Sequence, residues 1–442
     1  MRNPYQLALD MYKQYGEAYT IRVANQRLTF LVGPSAGEFF FKAKDTELSQ
    51  KEAYKFSVSI FGKGVVYDVD PAVRTQQIKF MSGSLRADAI RSYVPDMQME
   101  AEAFFEEKWG NGGGSIESLG KHMAELIILT ASRCLMGPEI REELFGEVSR
   151  LFETIDAGLL PITFFLPNLP ISAHRARDAA REEMIGLFSK VLKERRANPD
   201  KIYTDVLDVF ANATYKDGTA LSDQEVCGLM LALLFAGQHT SSNTSTNTLL
   251  SILAEKRAKE AAGLPSYFDE IMAEQNELIA EYGTDFSLEV VDKMDKLHAA
   301  IKETLRLTPP LILVIRKALV DFQVKTMDPN TPDYTVPAGD WVFVCPPVSG
   351  RMPNIYAEPE AWDPARMLPP REEDKAHRFA FAGFGGGRHG CLGENFAYAQ
   401  VKVILSIVLR KYAMNLVGPD PVQDYTALVV GPHPTRVEYE LK

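Results

Sequence analysis

Phe384-Gly385-Gly386-Gly387-Arg388-His389-Gly390-Cys391-Leu392-Gly393 is the stretch on which the reading of this chain turns. It contains Gly385-x-Gly387-x-x-Gly390, a formal match to a dinucleotide-binding fingerprint, and a helical pattern follows it. The rest of that context fails. About 50 residues remain, too few for a β-α-β-α-β unit, and Arg410-Lys411 stand where an acidic ribose partner belongs. Another chemistry explains the cysteine as well as the glycines. Glycines on both sides let backbone approach a flat ligand where a side chain would clash. A helix starting just after Cys391 turns free amides and its positive end toward the sulphur, and both favour thiolate over thiol.

A thiolate held this way suits a soft axial metal bond, as in haem-thiolate proteins. Haem carries two propionates that need cations or donors, and Arg388 and His389 stand beside the sulphur. The alternative is a buried structural cysteine in a glycine-rich turn.

The remainder of the chain sets bounds on this reading. Of 442 residues, 46% are apolar and 24% charged, which excludes a disordered or fibrous chain. The formal charge of −11 argues against a nucleic-acid partner, which would need a basic stripe. Cys134, Cys227, Cys345 and Cys391 lie far apart without a Cys-x-x-Cys pair, so neither a disulfide framework nor a structural zinc site is expected. A reducing compartment follows. No apolar run reaches the ~18–20 residues of a spanning helix, and the N-terminus does not read as a signal peptide. The protein is then soluble, or an anchor lies outside this chain.

Residues 19–33 read as a hairpin with its turn at Asn25-Gln26. From Ser35 to about Glu281, and again from Leu288 to Leu307, the pattern is helical. Short strands are expected near Ile312–Val324 and Trp341–Cys345, a helix over Asn395–Tyr412, and strand-like pieces around Leu428–Val430 and Arg436–Leu441. Gly110 to Ser115 reads as a loop. The expected architecture is mostly α with a small β annex, organised as one domain over 1–442. Its most distinctive helix opens with the capping box Ser222-Asp223-Gln224-Glu225 and continues past Leu250, about 30 residues, apolar on nearly all faces from Val226 to Ala236. Gly237, in Ala236-Gly237-Gln238-His239-Thr240-Ser241, suggests a local opening where something packs against the backbone; a plain buried helix with a tolerated glycine is the alternative.

These residues together resemble the cytochrome P450 family, whose haem signature is Phe-x-x-Gly-x-Arg/His-x-Cys-x-Gly. Phe384, Gly387, His389, Cys391 and Gly393 fill its five marked positions. Glu303-Thr304-Leu305-Arg306, followed by Leu307-Thr308-Pro309-Pro310, is similar to the family's Glu-x-x-Arg motif, and Arg366 fits its downstream arginine. Ala236-Gly237-Gln238-His239-Thr240 is similar to the motif of the long central helix. His239 stands where most members carry an acid. That departure, His389 in the cysteine loop, and Tyr54 to Asp68, with its Phe61-Gly62-Lys63-Gly64-Val65-Val66-Tyr67, resemble the sterol 14α-demethylases within the family.

The resemblance implies a haem b (iron protoporphyrin IX) with Cys391 as axial ligand and Tyr54, Tyr67, Lys79, Arg316 and His389 at the propionates. It implies a sterol pocket lined by Phe56, Phe61, Phe235, Ala236, Leu311, Leu428 and Val429, with Glu303, Arg306 and Arg366 as structural support. Thr240 would relay protons and His239 would gate their supply. The implied reaction is three successive oxidations of one methyl group, released as formate, with obtusifoliol-like sterols favoured. Electrons would come from NADPH through NADPH–cytochrome P450 reductase. Azole-type inhibitors would bind, and an N-terminal anchor would hold the enzyme on the cytosolic face of the endoplasmic reticulum membrane. Rival readings are a haem-thiolate enzyme acting on another lipid, and a haem isomerase or sensor, against which Thr240 speaks.

Overall fold

Alternating apolar residues make Ala18–Val23 and Gln26–Leu31 an antiparallel hairpin, with Val23 opposite Gln26. Its turn is Ala24-Asn25, one residue earlier than the sequence suggests, and Ala24 takes φ 51°. The computed structural model describes residues 3–198, 200–327 and 333–442. The chain forms two compact units: Met1–Gln50, Gln98–Leu126 and His239–Lys442 make one, Lys51–Met97 and Ile127–Gln238 the other.

All named strands of the described residues belong to the first unit. The hairpin joins Trp341–Val344, Val314–Ala318 and Leu48–Ser49 in a five-stranded sheet, with Gln26–Leu31 and Trp341–Val344 parallel and the other pairs antiparallel. A second sheet orders Gly113–Ile116, Val437–Leu441 and Tyr412–Leu416. Gly113–Ile116 corrects the loop expected at Gly110 to Ser115. A Cβ on Gly114 would stand 2.8 Å from the Tyr439 hydroxyl, so the glycine lets the strand lie against that ring. Tyr412–Leu416 buries alternate residues and extends the helix before it, which the sequence reading had run through Tyr412. Leu428–Val430 is not a strand: it lies in the tip of a small hairpin whose strands are Gln423–Asp424 and Gly431–Pro432.

In the first unit, helices Asp295–Leu307 and Glu394–Lys411 bury most of their length. The second unit is helical, with Pro71–Gly83, Phe145–Ala157 and Ser172–Ala197 among its elements. The helix Asp223–Ala262 has residues in both units and runs 40 residues, longer than expected. Its capping box forms: Ser222 N–H donates to Glu225 Oε2 at 2.9 Å and Glu225 N–H to Ser222 Oγ at 3.3 Å. The helix continues unbroken through Gly237. Beyond its own helix and chain neighbours, no described atom comes within 4 Å of where a Gly237 Cβ would be, so the open space lies beside the helix.

Candidate active site

The cysteine loop belongs to the first unit and is shaped by its glycines. Gly385 and Gly387 take φ 71° and 65°, a region that disfavours side chains. The chain closes on itself where Cys391 N–H donates to Phe384 O at 3.0 Å, and Gly387–His389 forms one 3-10 turn. A Cβ on Gly387 would stand 2.0 Å from the Phe41 carbonyl oxygen, and one on Gly386 would stand 2.8 Å from the Phe379 ring. Those two glycines thus serve packing against protein, not approach of a ligand. At Gly385, Gly390 and Gly393 an added Cβ would make only ordinary contacts, none with a described atom closer than 3.6 Å.

Of the four cysteines, Cys134, Cys227 and Cys345 are buried and Cys391 is exposed. Burial pushes the Cys227 and Cys345 thiols up to about 12. Cys391 also has its pKa raised, first by the crowding of surrounding protein and further by the Glu394 carboxylate, against a lowering hydrogen bond from the Gly393 amide. The sulphur is therefore accessible and closely surrounded at once. A metal ion, when bound there, would favour the thiolate form.

Behind the loop, Glu303 and Arg306 face each other one turn apart on Asp295–Leu307. Arg306 Nε donates to Glu303 Oε2 and Nη2 to Oε1, each at 2.7 Å; Arg366 Nε adds a bond to Oε1 at 3.0 Å. All three side chains are wholly buried. Arg306 further donates to the carbonyls of Gly350, Pro359 and Ala361, while Arg366 pairs with Glu373 at 2.7 Å. Two guanidiniums thus meet two carboxylates, and this satisfaction makes burial of the charges tolerable.

Within the same unit His389 Nε2 lies 2.8 Å from Asp45 Oδ1, a carboxylate 344 residues away that nothing in the local sequence announces. Arg316 is buried in its strand, with Nη1 on the Ile315 carbonyl and its guanidinium 4.9 Å from the Phe40 ring centre. His239 and Thr240 are half-buried, and their carbonyls accept from Ser242 and Thr244. Leu311 and Leu428 expose about half their surface (46% and 52%), while Val429 is half-buried.

In the second unit, Tyr54 and Tyr67 stack with ring centres 5.4 Å apart. Arg74, not singled out by the sequence reading, lies 5.1 Å over the Tyr67 ring; Lys79 on the same helix is exposed. Phe56 packs against Phe164 at 4.2 Å. Phe61 meets Phe235 at 6.1 Å, and Phe235 meets Phe152 at 4.6 Å. A Cβ on Gly228 would stand 2.3 Å from the Phe61 carbonyl oxygen, so the segment lies directly on the long helix. Ala236 is exposed one residue beyond Phe235.

The family profile described as Cytochrome P450 matches residues 1–439. The chain belongs to the cytochrome P450 family. A sterol 14-demethylase of Arabidopsis thaliana is 44% identical over 432 residues, covering 98% of this chain and 86% of that protein. An obtusifoliol 14-alpha demethylase of Sorghum bicolor is likewise 44% identical, with 98% and 85% covered. The lanosterol 14-alpha demethylase of Bos taurus is 34% identical over 444 residues, covering 99% of this chain and 84% of that one. The solved retinoic-acid-bound cyanobacterial CYP120A1 superposes with a TM-score of 0.82 at 22% identity, covering 100% of this chain and 95% of that one, and shows the shared fold. Family membership implies haem, and this cytochrome P450 has residues that fit it. One thiol is exposed where three are buried, and it stands in a glycine-rich loop where Gly385, Gly390 and Gly393 make no close protein contact.

Proposed function

We propose that residues 1–442 act as one catalytic domain that removes the 14α-methyl group of a sterol precursor. Three successive monooxygenations take the methyl to alcohol and aldehyde, and release formate as a ring double bond forms. The observation that carries this reading is 44% identity over 432 residues to a protein named sterol 14-demethylase. A haem b, when bound, supplies the oxygen activation. Cys391 would hold the group through its sulphur, Arg316, Lys79 and His389 would offer charge or hydrogen bonds to its propionates, and Tyr54 and Tyr67 would offer hydroxyl donors. The Glu303, Arg306 and Arg366 cluster braces the loop that presents the sulphur.

The apolar side chains Phe56, Phe61, Phe235, Leu311, Leu428 and Val429, with Ala236, exclude water and hold the sterol by shape. Thr240 holds a proton at its hydroxyl for delivery to the reacting oxygen, and His239 controls how that proton is replaced. Relatives named obtusifoliol 14-alpha demethylases, from Sorghum bicolor and Triticum aestivum, support an obtusifoliol-like substrate. NADPH supplies electrons through NADPH–cytochrome P450 reductase, and azole-type inhibitors compete at the metal. The enzyme works at the cytosolic face of the endoplasmic reticulum membrane. No described helix is long and apolar enough to cross a membrane. What supports the location is an exposed apolar cluster in the second unit, Phe165 at 82% and Leu166 at 51%, flanked by Ile162 and Leu169.

The test is titration of the haem-loaded protein with obtusifoliol, lanosterol and eburicol, followed by turnover with reductase and NADPH. The expected result is a saturable spectral shift and formate released in step with a demethylated, unsaturated product. No shift and no formate with any of the three sterols refutes the reading.

A further inference from the structure

The Asp223–Ala262 helix contains an uninterrupted polar run, Thr240 to Thr248, most of it buried. Its hydroxyls look inward to their own helix: Thr244 donates to Thr240 O, Ser245 to Ser241 O and Thr246 to Ser242 O. The two asparagines do something else. Asn243 Nδ2 donates to the Val430 carbonyl at 3.2 Å, at the base of the hairpin tip that carries Leu428 and Val429. Asn247 and Gln423 form a reciprocal amide pair: Asn247 Nδ2 donates to Gln423 Oε1 at 3.2 Å, and Gln423 Nε2 to Asn247 Oδ1 at 2.8 Å. Gln423 opens the strand that leads into that tip.

Three further observations show that this contact is built closely. A Cβ on Gly431 would stand 2.4 Å from Asn243 Oδ1, so only glycine lets the hairpin lie on the asparagine. Val430 is buried, and its N–H donates at 2.8 Å to the carbonyl of Pro310, the residue before Leu311. Finally, Thr240, Asn243 and Asn247 are spaced i, i+3 and i+7, which places them on one face of the helix. The face that bears the hydroxyl also bears both anchors of the tip, and the tip is tied by its backbone to the segment of Leu311.

We propose that Asn243 and Asn247 are positioning residues for substrate selection. They fix the height of the Leu428–Val429 tip against Thr240, and so fix how far a bound sterol is pushed toward that hydroxyl. The inference rests on the proposed function, since it takes Leu428 and Val429 as substrate-lining. An amide pair can do this where apolar contacts cannot, because a slip by one residue leaves buried polar groups unpaired, whereas apolar surfaces slide.

The test compares the parent with Asn247→Leu, Gly431→Ala and the exchanged double variant Asn247→Gln/Gln423→Asn. Each is read by the reduced carbon-monoxide spectrum, by the sterol Kd from spectral titration, and by product formed per NADPH consumed. Asn247→Leu and Gly431→Ala should keep the carbon-monoxide band, bind sterol roughly 5- to 20-fold more weakly, as expected for loss of a buried neutral hydrogen bond, and turn over with poorer coupling. The exchanged pair, which keeps both amides at the same summed length, should recover most of the affinity. Unchanged Kd and coupling in both perturbing variants, with a parent that binds sterol, overturn the inference and leave the proposed function standing. A parent that binds no sterol overturns the proposed function, and the inference with it. Loss of the carbon-monoxide band in both perturbing variants overturns the inference too, because the amides then hold the fold and not the tip.

Discussion

The Glu303–Arg306–Arg366 cluster and the Tyr54–Tyr67 segment are built on opposite principles. In the cluster, three charged side chains are wholly buried, and protein partners from three stretches of chain fix each of them. In the segment, one ring pair is stacked and two are tilted, at 4.2 to 6.2 Å, and the rings stay partly exposed. The first arrangement tolerates no change because a buried charge without its partner is costly, while the second tolerates several because such rings can shift. The difference separates two tasks. On the proposed function, the cluster would hold the cysteine loop by geometry that protein alone determines, and the ring segment would offer a surface that a sterol completes.

The largest effect should therefore come from the cluster. Glu303→Ala leaves the Arg306 guanidinium without a carboxylate and Arg366 with Glu373 and, at 4.0 Å, Asp363. Breaking a buried pair costs about 3–5 kcal/mol, a large part of the ~5–15 kcal/mol that holds a folded protein. The expected outcome is no recoverable haem-loaded protein, read as the ratio of haem to protein absorbance and by thermal unfolding. A stable, loaded Glu303→Ala protein would mean that the cluster is not what fixes the loop. Cys391→Ser comes next, and it separates ligand from scaffold: fold and circular dichroism should persist, while the thiolate carbon-monoxide band and turnover disappear.

Gly387→Ala probes the same region by crowding. Its Cβ would stand 2.0 Å from the Phe41 carbonyl oxygen at a φ of 65°, so the loop must move. A left-handed non-glycine residue costs about 1–2 kcal/mol before any clash is counted. Partial haem occupancy and faster haem loss should follow, measured by transfer to apomyoglobin; occupancy equal to the parent's would show that the loop yields without consequence. Thr240→Ala should leave structure and haem content intact and lower only the product formed per NADPH, with the difference appearing as hydrogen peroxide. His239→Ala should flatten the pH profile of turnover. Unaltered coupling and an unaltered profile would reduce both residues to helix packing.

Legibility in the sequence follows the same division. The helices, the hairpin at the start and the cysteine loop are local patterns, and they stand where periodicity and glycine spacing place them. Glu303 and Arg306 are legible because a helix brings i and i+3 together; Arg366, 63 residues on, came from family resemblance alone. Gly113–Ile116 looked like a loop because four glycines and serine have no β propensity; it is a strand because Tyr439 and its neighbours hold it. Asp45 opposite His389, Arg74 over Tyr67 and Asn243 beneath Val430 are pairings of distant or unpatterned residues. No window of sequence contains them.

The smallest effect should come from Phe56, and it tests the adaptable side of the comparison most directly. If Phe56 lines the bound sterol, its ring fills space that a second methyl at carbon 4 would need. Overpacking an apolar site costs about 1–3 kcal/mol. At about 1.4 kcal/mol per tenfold this is a preference of roughly 5- to 200-fold. The ring already packs on Phe164 at 4.2 Å, and Phe164 is itself 36% exposed, so both rings can give way. The lower end of the range is therefore expected. Obtusifoliol should be favoured over lanosterol and eburicol by about 5- to 20-fold in kcat/KM, and Phe56→Leu should narrow the gap without changing the carbon-monoxide spectrum. Equal efficiency on all three sterols in the parent would show that the ring serves Phe164 and not the substrate. In that case Phe164→Ala should loosen the segment as much as Phe56→Leu does, and the adaptable region would be tuned by its own packing.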